Sequence, residues 1–334
     1  MKKKIALVAG GYSGEYVISV QSAVTIEHNI DPEKYSVYKI MIGRDDWHYL
    51  TPEGEKIPVD KNDFSLSLPQ EKIIFDAVFI GIHGTPGEDG KLQGYLDMIG
   101  LPYTSCGAIS SALTFNKSYC NKVVSSLGIA RVARSVHLFR EQPFDDQKIA
   151  GQLKFPVFVK PAEGGSSIGM SKVSAPSEEL GAAIEKAFRE DAQVLIEEFV
   201  KGREFTCGLF KYRNSFTVLP ITEIISSKEF FDYEAKYTPG KSREITPAGI
   251  TDSLREQIAQ TACRVYDALN CRGITRIDFI YREETDELYF LEINTMPGQS
   301  ENSIVPQQVR AAGMELKDFY GMLIEDCLER HAKG

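Results

Sequence analysis

The sequence predicts an α/β protein of two or three domains, and three stretches carry that expectation. Lys4–Ala9 is a short apolar run ending in Gly10-Gly11-Tyr12-Ser13-Gly14-Glu15, and a helical pattern follows through Val17, Val20, Val24 and Ile26. Strand, glycine turn and helix in that order open a βαβ unit and predict a Rossmann-like N-terminal domain. Phe75–Ile82 continues the pattern with a strand that again ends in a histidine-glycine turn. Residues 274–298, ITRIDFIYREETDELYFLEINTMPG, read differently, as an antiparallel hairpin around the charged turn Arg282–Glu287. At 334 residues the chain exceeds a typical single core.

The first glycine turn is not a dinucleotide fingerprint, because G-x-G-x-x-G is not met. Glu15 falls in the expected first helical turn, where it serves either the helix dipole or a substrate ammonium. A second strand is expected near Val37–Ile42, and the polar, turn-rich Thr51–Gln70 reads as a variable excursion. Ligands in open α/β sheets bind at the carboxyl ends of strands. His83 stands at such an end, although a lone histidine is more often structural. Pro102–Ser105 reads as a last short strand and Ala108–Lys122 as one helix, with Lys117 and Lys122 as solvated lysines by default.

The next domain begins with a strand at Phe155–Lys160 and a glycine-serine loop, Glu163–Gly169. Glycines let backbone N–H groups close on phosphate oxygens, and Ser166 and Ser167 add hydroxyl donors. Lys160 precedes the glycines, so this is neither a Walker A nor a kinase loop. It is a hairpin turn or a phosphate clamp. An amphipathic helix at Ser177–Arg189 leads to a strand at Gln193–Val200 that ends Glu197-Glu198-Phe199-Val200. That strand end suits an adenine edge, and Glu204, before the strand Phe205–Phe210, suits a ribose hydroxyl. The expected domains are 1–115, 116–208 and 209–334.

Side chains alternate across a strand, so parity assigns faces in the hairpin. Ile277, Phe279, Tyr281, Tyr289, Leu291 and Ile293 are expected on the apolar face. Pairing Arg282 with Leu288 sets Asp278 opposite Glu292 and Arg276 opposite Asn294. Facing carboxylates are destabilising unless compensated. Mg²⁺ takes hard oxygen ligands, so Asp278, Glu292 and Asn294 form a candidate metal set with Arg276 left to face an anionic substrate. The competing reading is a solvated polar face on which Arg276 pairs one carboxylate.

Composition excludes other classes. A net charge of −9 argues against nucleic acid as the main partner, and no apolar run approaches a membrane span. Ile5–Val8 is too short for a signal h-region. Six cysteines without C-x-x-C spacing fit reduced thiols in cytoplasm better than disulfides or zinc.

Together Lys160, Glu163–Gly169, Glu198–Glu204 and the Asp278/Glu292/Asn294 set resemble the ATP-grasp superfamily, in which ATP lies between two α+β lobes. More narrowly the chain resembles the D-alanine–D-alanine ligase family. The resemblance rests on Gly10–Ser19, Ile82–Gly84, Gly87–Gly94, Leu101–Thr104, Lys160–Ser171, Asp232–Tyr237, Pro247–Gly249, Arg276–Asp278 and Leu291–Gly298, in order along nearly the whole chain. It implies that ATP phosphorylates one D-alanine, whose acyl phosphate is attacked by the amine of a second, giving a peptidoglycan precursor. It also implies a cytoplasmic homodimer using two Mg²⁺ ions, with Mn²⁺ as an alternative.

By the same resemblance Lys117 and Lys160 contact the phosphates, the backbone of Gly164, Gly165, Ser167 and Ile168 covers them, and Glu197, Glu198, Val200, Glu204 and Lys236 complete the ATP site. Glu15 holds the first ammonium, Arg276 and the Gly298 N–H face the oxyanion, and His83, Ser303 and Ile304 line the substrate sites. Phe230–Arg243 resembles a lid in which Tyr237 joins Ser166 and Glu15. Tyr237 favours an amine acceptor over the D-lactate used by related depsipeptide ligases. Two departures are Gly164 and Phe231, where many relatives carry other residues. An ATP-grasp carboxylase or carboxylate kinase would share Lys160 and the metal set, but not Glu15, Tyr237 and Ser303 together.

Overall fold

The computed structural model describes residues 2–165, 168–176, 179–226 and 242–333. Expectations for Ser166, Ser167, Lys236, Tyr237 and most of the lid therefore lie outside the described residues. The N-terminal unit comprises β1 (Lys3–Gly10), α1 (Tyr16–Asn29), β2 (Tyr35–Ile42), β3 (Trp47–Leu50), β4 (Lys56–Asp60), β5 (Ser65–Ser67), β6 (Lys72–Ile73) and β7 (Ala77–Ile80), followed by α2 (Lys91–Met98). Its sheet runs β6-β5-β4-β3-β2-β1-β7, and β1 is parallel to both neighbours. β1 is apolar at every interior position because both its faces are covered. Ile5 and Leu7 join Ile26 of α1, while Ala6 and Val8 join Ile40, Leu92 and Leu96.

Three expectations here need correction. The supposed excursion Thr51–Gln70 contains β4 and β5, and β3–β6 extend the sheet as antiparallel strands. Val59, Phe64, Leu66 and Ile73 are buried beneath polar neighbours, a pattern too short and interrupted to read as strands. Pro102–Ser105 makes only a single bridge, Val78 to Tyr103. Ala108–Lys122 is not one helix but two, α3 (Ala108–Phe115) and α4 (Lys117–Ser126). Asn116 turns extended between them and caps the second.

β8 (Arg131–Val132) and β9 (Ser135–Phe139) precede α5 (Asp146–Gln152), β10 (Val157–Pro161), β11 (Ser171–Val173), α6 (Glu179–Glu190) and β12 (Gln193–Glu198). The central sheet has the order β11-β10-β12-β9. Val157, Val159, Val194 and Ile196 pack under Ile149 of α5 and Leu180, Ile184 and Phe188 of α6. The intervening positions Phe158, Lys160 and Glu197 face a cleft.

The C-terminal sheet is built from β13 (Arg203–Tyr212), β14 (Ser215–Val218), β15 (Thr222–Ser226), β16 (Ser242–Ile245), β17 (Thr275–Arg282) and β18 (Glu287–Asn294). Its order is β16-β15-β13-β17-β18-β8, with β14 also on β13. β13 runs unbroken through residue 208 and pairs with β15 and β17. The change from the central to the C-terminal sheet falls at Lys201-Gly202. α7 (Asp252–Ala268) and α4 cover one face of this sheet through Ile258, Ala262, Val265 and Val124. The last helices are α8 (Ile304–Ala311) and α9 (Leu316–Lys333). Phe319, Tyr320 and Leu323 of α9 pack on the Ile5–Leu7–Phe79 face, so the end of the chain roofs its beginning.

Candidate functional site

A cleft of about 1170 Å³ lies between the central and C-terminal sheets, and loops of the N-terminal unit close its base. Most of the described residues singled out by sequence meet there: Glu15, His83, Lys117, Lys160, Gly164, Gly165, Ile168, Glu197, Val200, Glu204, Arg276, Asp278, Glu292, Asn294, Gly298, Ser303 and Ile304 all line it. Glu198 does not. Alternation turns it to the helix side, where its carboxylate accepts a 2.8 Å hydrogen bond from the Lys154 backbone N–H.

On the central wall Lys160 is buried and its Nζ donates to Glu197 Oε1 at 2.5 Å. Phe158 and Phe199 meet edge to face at 5.7 Å beside it. This gives an apolar slot next to a charged pair, suited to a planar base with an anionic tail.

On the opposite wall the hairpin pairs Arg276 with Asn294 and Asp278 with Glu292, as expected. Nearer the turn the register differs: Tyr281, not Arg282, pairs with Leu288. A bulge opposite Asp278/Phe279 inserts Leu291 as an extra residue. Parity therefore reverses along β18. Leu288 and Phe290 are buried in the core with Ile293, whereas Tyr289 and Leu291 are only partly buried. Leu291 and Glu292 both reach the cleft, and Ile280 joins them there.

The carboxylate of Asp278 is nearly saturated. Its Oδ1 accepts from Thr206 Oγ1 at 2.5 Å and Arg276 Nε at 3.0 Å, and its Oδ2 from Arg276 Nη2 at 2.8 Å and Asn294 Nδ2 at 3.1 Å. Burial alone would lower the Arg276 pKa, but Asp278, with Glu292 and Glu88 further out, raises it above its ordinary value. Arg276 thus pairs one carboxylate, as in the competing sequence reading, but the pair is largely buried rather than on a solvated face. Among the described residues no cluster of three or more His, Cys, Asp or Glu is placed to hold a metal. The hairpin offers two carboxylates and an amide, all hard oxygen donors. That set fits a divalent cation, whose charge would replace the N–H donors now on Asp278.

At the base Glu15 directly precedes α1 rather than lying in its first turn. Its position is fixed by glycines. A Cβ on Gly84, which has φ +65°, would come within 3.1 Å of Glu15 Oε2, and one on Gly165 within 2.6 Å of Oε1. The Glu15 carboxylate therefore sits directly between the His83-Gly84 turn and the glycine loop. His83 is a clasp as well as a lining residue. Its Nδ1 lies 2.7 Å from the Met296 carbonyl, and its Nε2 2.8 Å from Ser22 Oγ, which also accepts from the Gln299 N–H. Nδ1–H donates and Nε2 accepts, so the ring is neutral, and burial lowers its pKa.

Sequence reading passed over Glu88, which reaches the cleft from the turn after β7. Burial, with Glu15 nearby, pushes its pKa up to about 7 against a stabilising 3.0 Å hydrogen bond from the Gly84 N–H. The signal was available in the Pro86-Gly87-Glu88-Asp89-Gly90 turn at a strand's carboxyl end. It also passed over Glu244 and Gln307, joined at 2.8 Å at the far rim.

A nucleotide-sized cleft held between two antiparallel sheets, with lysines on one side and an acidic hairpin on the other, is the architecture of the ATP-grasp class, and this chain has that fold. Residues 4–106 match the family described as "D-ala D-ala ligase N-terminus" and residues 123–325 that described as "D-ala D-ala ligase C-terminus". The D-alanine--D-alanine ligase of Parabacteroides distasonis is 47% identical over 98% of each chain. That of Phocaeicola vulgatus is 46% identical over 98% of this chain and 99% of its own. Among solved structures, VanG D-Ala:D-Ser ligase from Enterococcus faecalis superposes with TM-score 0.86 at 34% identity, over 97% of this chain and 99% of its own. The Bacillus anthracis D-alanine--D-alanine ligase complexed with ATP gives 0.78 at 25% identity, over 99% of each chain. The chain belongs to the D-alanine–D-alanine ligase family.

Proposed function

We propose that the protein joins two D-alanines into D-alanyl-D-alanine with cleavage of ATP to ADP and phosphate, supplying a precursor of peptidoglycan. The observation that carries this reading is the seat of Glu15. Its carboxylate, a partner for an ammonium group, is packed within van der Waals reach of the glycine loop that would cover phosphates. An amino acid held there by its ammonium presents its carboxylate toward the phosphate site.

The first D-alanine carboxylate takes the γ-phosphoryl group of ATP, and ADP leaves. The amine of the second D-alanine then attacks the acyl carbon, and phosphate departs with its bonding pair while the amine loses a proton. Phosphoryl transfer depends on position and charge neutralisation. Lys117 and Lys160 supply positive charge, with the Gly164–Gly165 backbone beside them. Arg276 and the Gly298 N–H face the oxyanion that forms at the acyl carbon, where preorganised donors act most strongly. Ser303 and Ile304, at the start of α8, bound the second alanine. Asp278, Glu292 and Asn294 would hold Mg²⁺, which neutralises phosphate charge when bound. Ser166, Tyr237 and Lys236 are assigned to the lid side of the same site. We place the enzyme in the cytoplasm as a homodimer; among the described residues no helix is long and apolar enough to cross a membrane.

D-serine joins D-lactate as a competing second substrate, because a D-Ala:D-Ser ligase is among the structural relatives. Phosphate release from Mg-ATP should be measured with D-alanine, with L-alanine, and with D-alanine plus D-serine or D-lactate, and products identified by mass. Release requiring D-alanine, with D-alanyl-D-alanine as main product, is expected. A dominant mixed product would reassign the second site, and no turnover at all would overturn the ligase reading.

A further inference from the structure

The break between α3 and α4 falls at a buried side chain that joins both lobes. Asn116 is 1% exposed. Its Oδ1 accepts from the Tyr119 N–H at 3.1 Å and so caps α4. Its Nδ2 donates to Glu163 Oε1 at 3.1 Å and to Gln193 Oε1 at 3.2 Å. α4 belongs to the C-terminal body, because Cys120 and Val124 share a core with Phe290 and Ile293. Glu163 and Gln193 belong to the central sheet, where Asp191 ties both through their backbone N–H groups at 2.8 and 3.1 Å. The next residue extends the seam, as the Lys117 N–H donates to the Ala162 carbonyl at 2.8 Å. Lys117 Nζ then reaches the Gly164 carbonyl at 2.6 Å and lies 3.7 Å from Glu292 Oε2.

We propose that Asn116 is a positioning residue for ATP, pinning α4 to the Glu163–Gly165 backbone so that Lys117 and the glycine loop stand at the spacing that receives the phosphates. This rests on the ligase reading above. A cap alone could be Ser, Thr or Asp. Only a carboxamide accepts from α4 while donating to two acceptors across the seam. A carboxylate here would cap equally well yet face Glu163 and the Gln193 oxygen with no proton to give.

The test is steady-state kinetics of the full chain with Mg-ATP and D-alanine, alongside thermal melting. Asn116→Asp sets two carboxylates face to face and should raise the KM for ATP about tenfold, roughly the loss of hydrogen bonds to a charged partner, with a lowered melting temperature that adding Glu163→Gln restores. The KM values for D-alanine should stay within about twofold, since the pin touches neither alanine site. Adding Glu163→Gln to Asn116→Asp returns a donor to the seam and should recover most of the ATP KM. Asn116→Ser, which caps without donating across the seam, should reproduce the defect and decides the matter if the aspartate variant does not fold. An unchanged ATP KM in folded variants overturns the proposal. So does a parallel rise in every KM with a fall in melting temperature and no recovery in the double variant, which is the mark of general destabilisation. Absence of wild-type turnover with D-alanine would instead fail the ligase reading; the seam would then be judged by ATP affinity in calorimetry, where equal affinities overturn it.

Discussion

The two walls of the cleft are both mainly antiparallel sheets with one face on helices and one on ligand, yet only one follows simple alternation. On the central wall parity holds throughout: Val157, Val159, Val194 and Ile196 go to the helices, while Phe158, Lys160 and Glu197 go to the cleft. On the hairpin wall parity holds up to the bulge and then reverses. The bulge places consecutive residues, Leu291 and Glu292, on the ligand side, so that an apolar contact and a carboxylate come from one short stretch. An unbroken ladder cannot do this, because adjacent side chains point to opposite faces.

The sharpest way to break the comparison is to remove the inserted residue. Deleting Leu291 should restore a regular ladder in which Phe290 keeps the core side and Glu292 the cleft side, but the apolar contact beside Glu292 and the bend with which the bulge aims that carboxylate are lost. Turnover should be abolished, as measured by phosphate release, and the melting temperature lowered. A deletion variant with wild-type activity would mean the bulge has no part in the site. Next in size is Asp278→Asn. It keeps the shape but removes the charge on which Arg276 forks, and kcat should fall by about 10²–10³, the scale found when one preorganised electrostatic partner is lost. Retention of activity within tenfold would contradict the placement of Asp278 at the reacting phosphate.

Much of this was legible because local chemistry and tertiary outcome agree. The open end of the hairpin was readable since Arg276, Asp278, Glu292 and Asn294 sit before the bulge, where parity still counts correctly. Beyond it, Tyr289 and Leu291 were misassigned because nothing in an apolar run marks which residue will be left unpaired. Glu198 was placed in the site by the family resemblance, although alternation sends it and Glu197 to opposite faces. The helix break at Asn116 was missed because Phe115-Asn116-Lys117-Ser118 continues a plausible helical pattern. Its cap is stabilised by partners, Glu163 and Gln193, far away in sequence. The roofing of β1 by α9 is likewise long-range and has no local signature.

The base of the cleft differs from both walls in holding a carboxylate, Glu88, that accepts from the backbone N–H of Gly84 rather than from an ion pair among the described residues. Glu88 is pushed up to about 7 from an ordinary 4.5, chiefly by burial. The folded chain therefore binds this proton more tightly than the unfolded chain. That contribution to stability is complete below the ordinary carboxylate value and is lost as pH rises through about 7. The melting temperature of the ligand-free protein should fall between pH 5 and 8 more steeply than that of Glu88→Gln (the compared range is roughly that window). Parallel curves would remove Glu88 from the buried base.

The smallest expected effect is the most direct check of alternation. Glu197 and Glu198 are adjacent, alike in chemistry and both plausible nucleotide contacts from sequence. Glu197 carries the 2.5 Å ion pair with buried Lys160, and Glu198 only accepts from the Lys154 N–H on the far side of the sheet. Glu197→Gln weakens a charge-assisted bond to a buried lysine and should raise the KM for ATP by several-fold, about 1–2 kcal/mol. Glu198→Gln retains an acceptor for the Lys154 N–H and should leave kcat and both KM values within about twofold and stability within roughly 0.5 kcal/mol. The pair isolates side-chain direction from everything else, because residue type, strand and sequence neighbourhood are shared. Equal ATP defects in the two variants would mean that both carboxylates work in the cleft and that alternation does not hold at the end of β12.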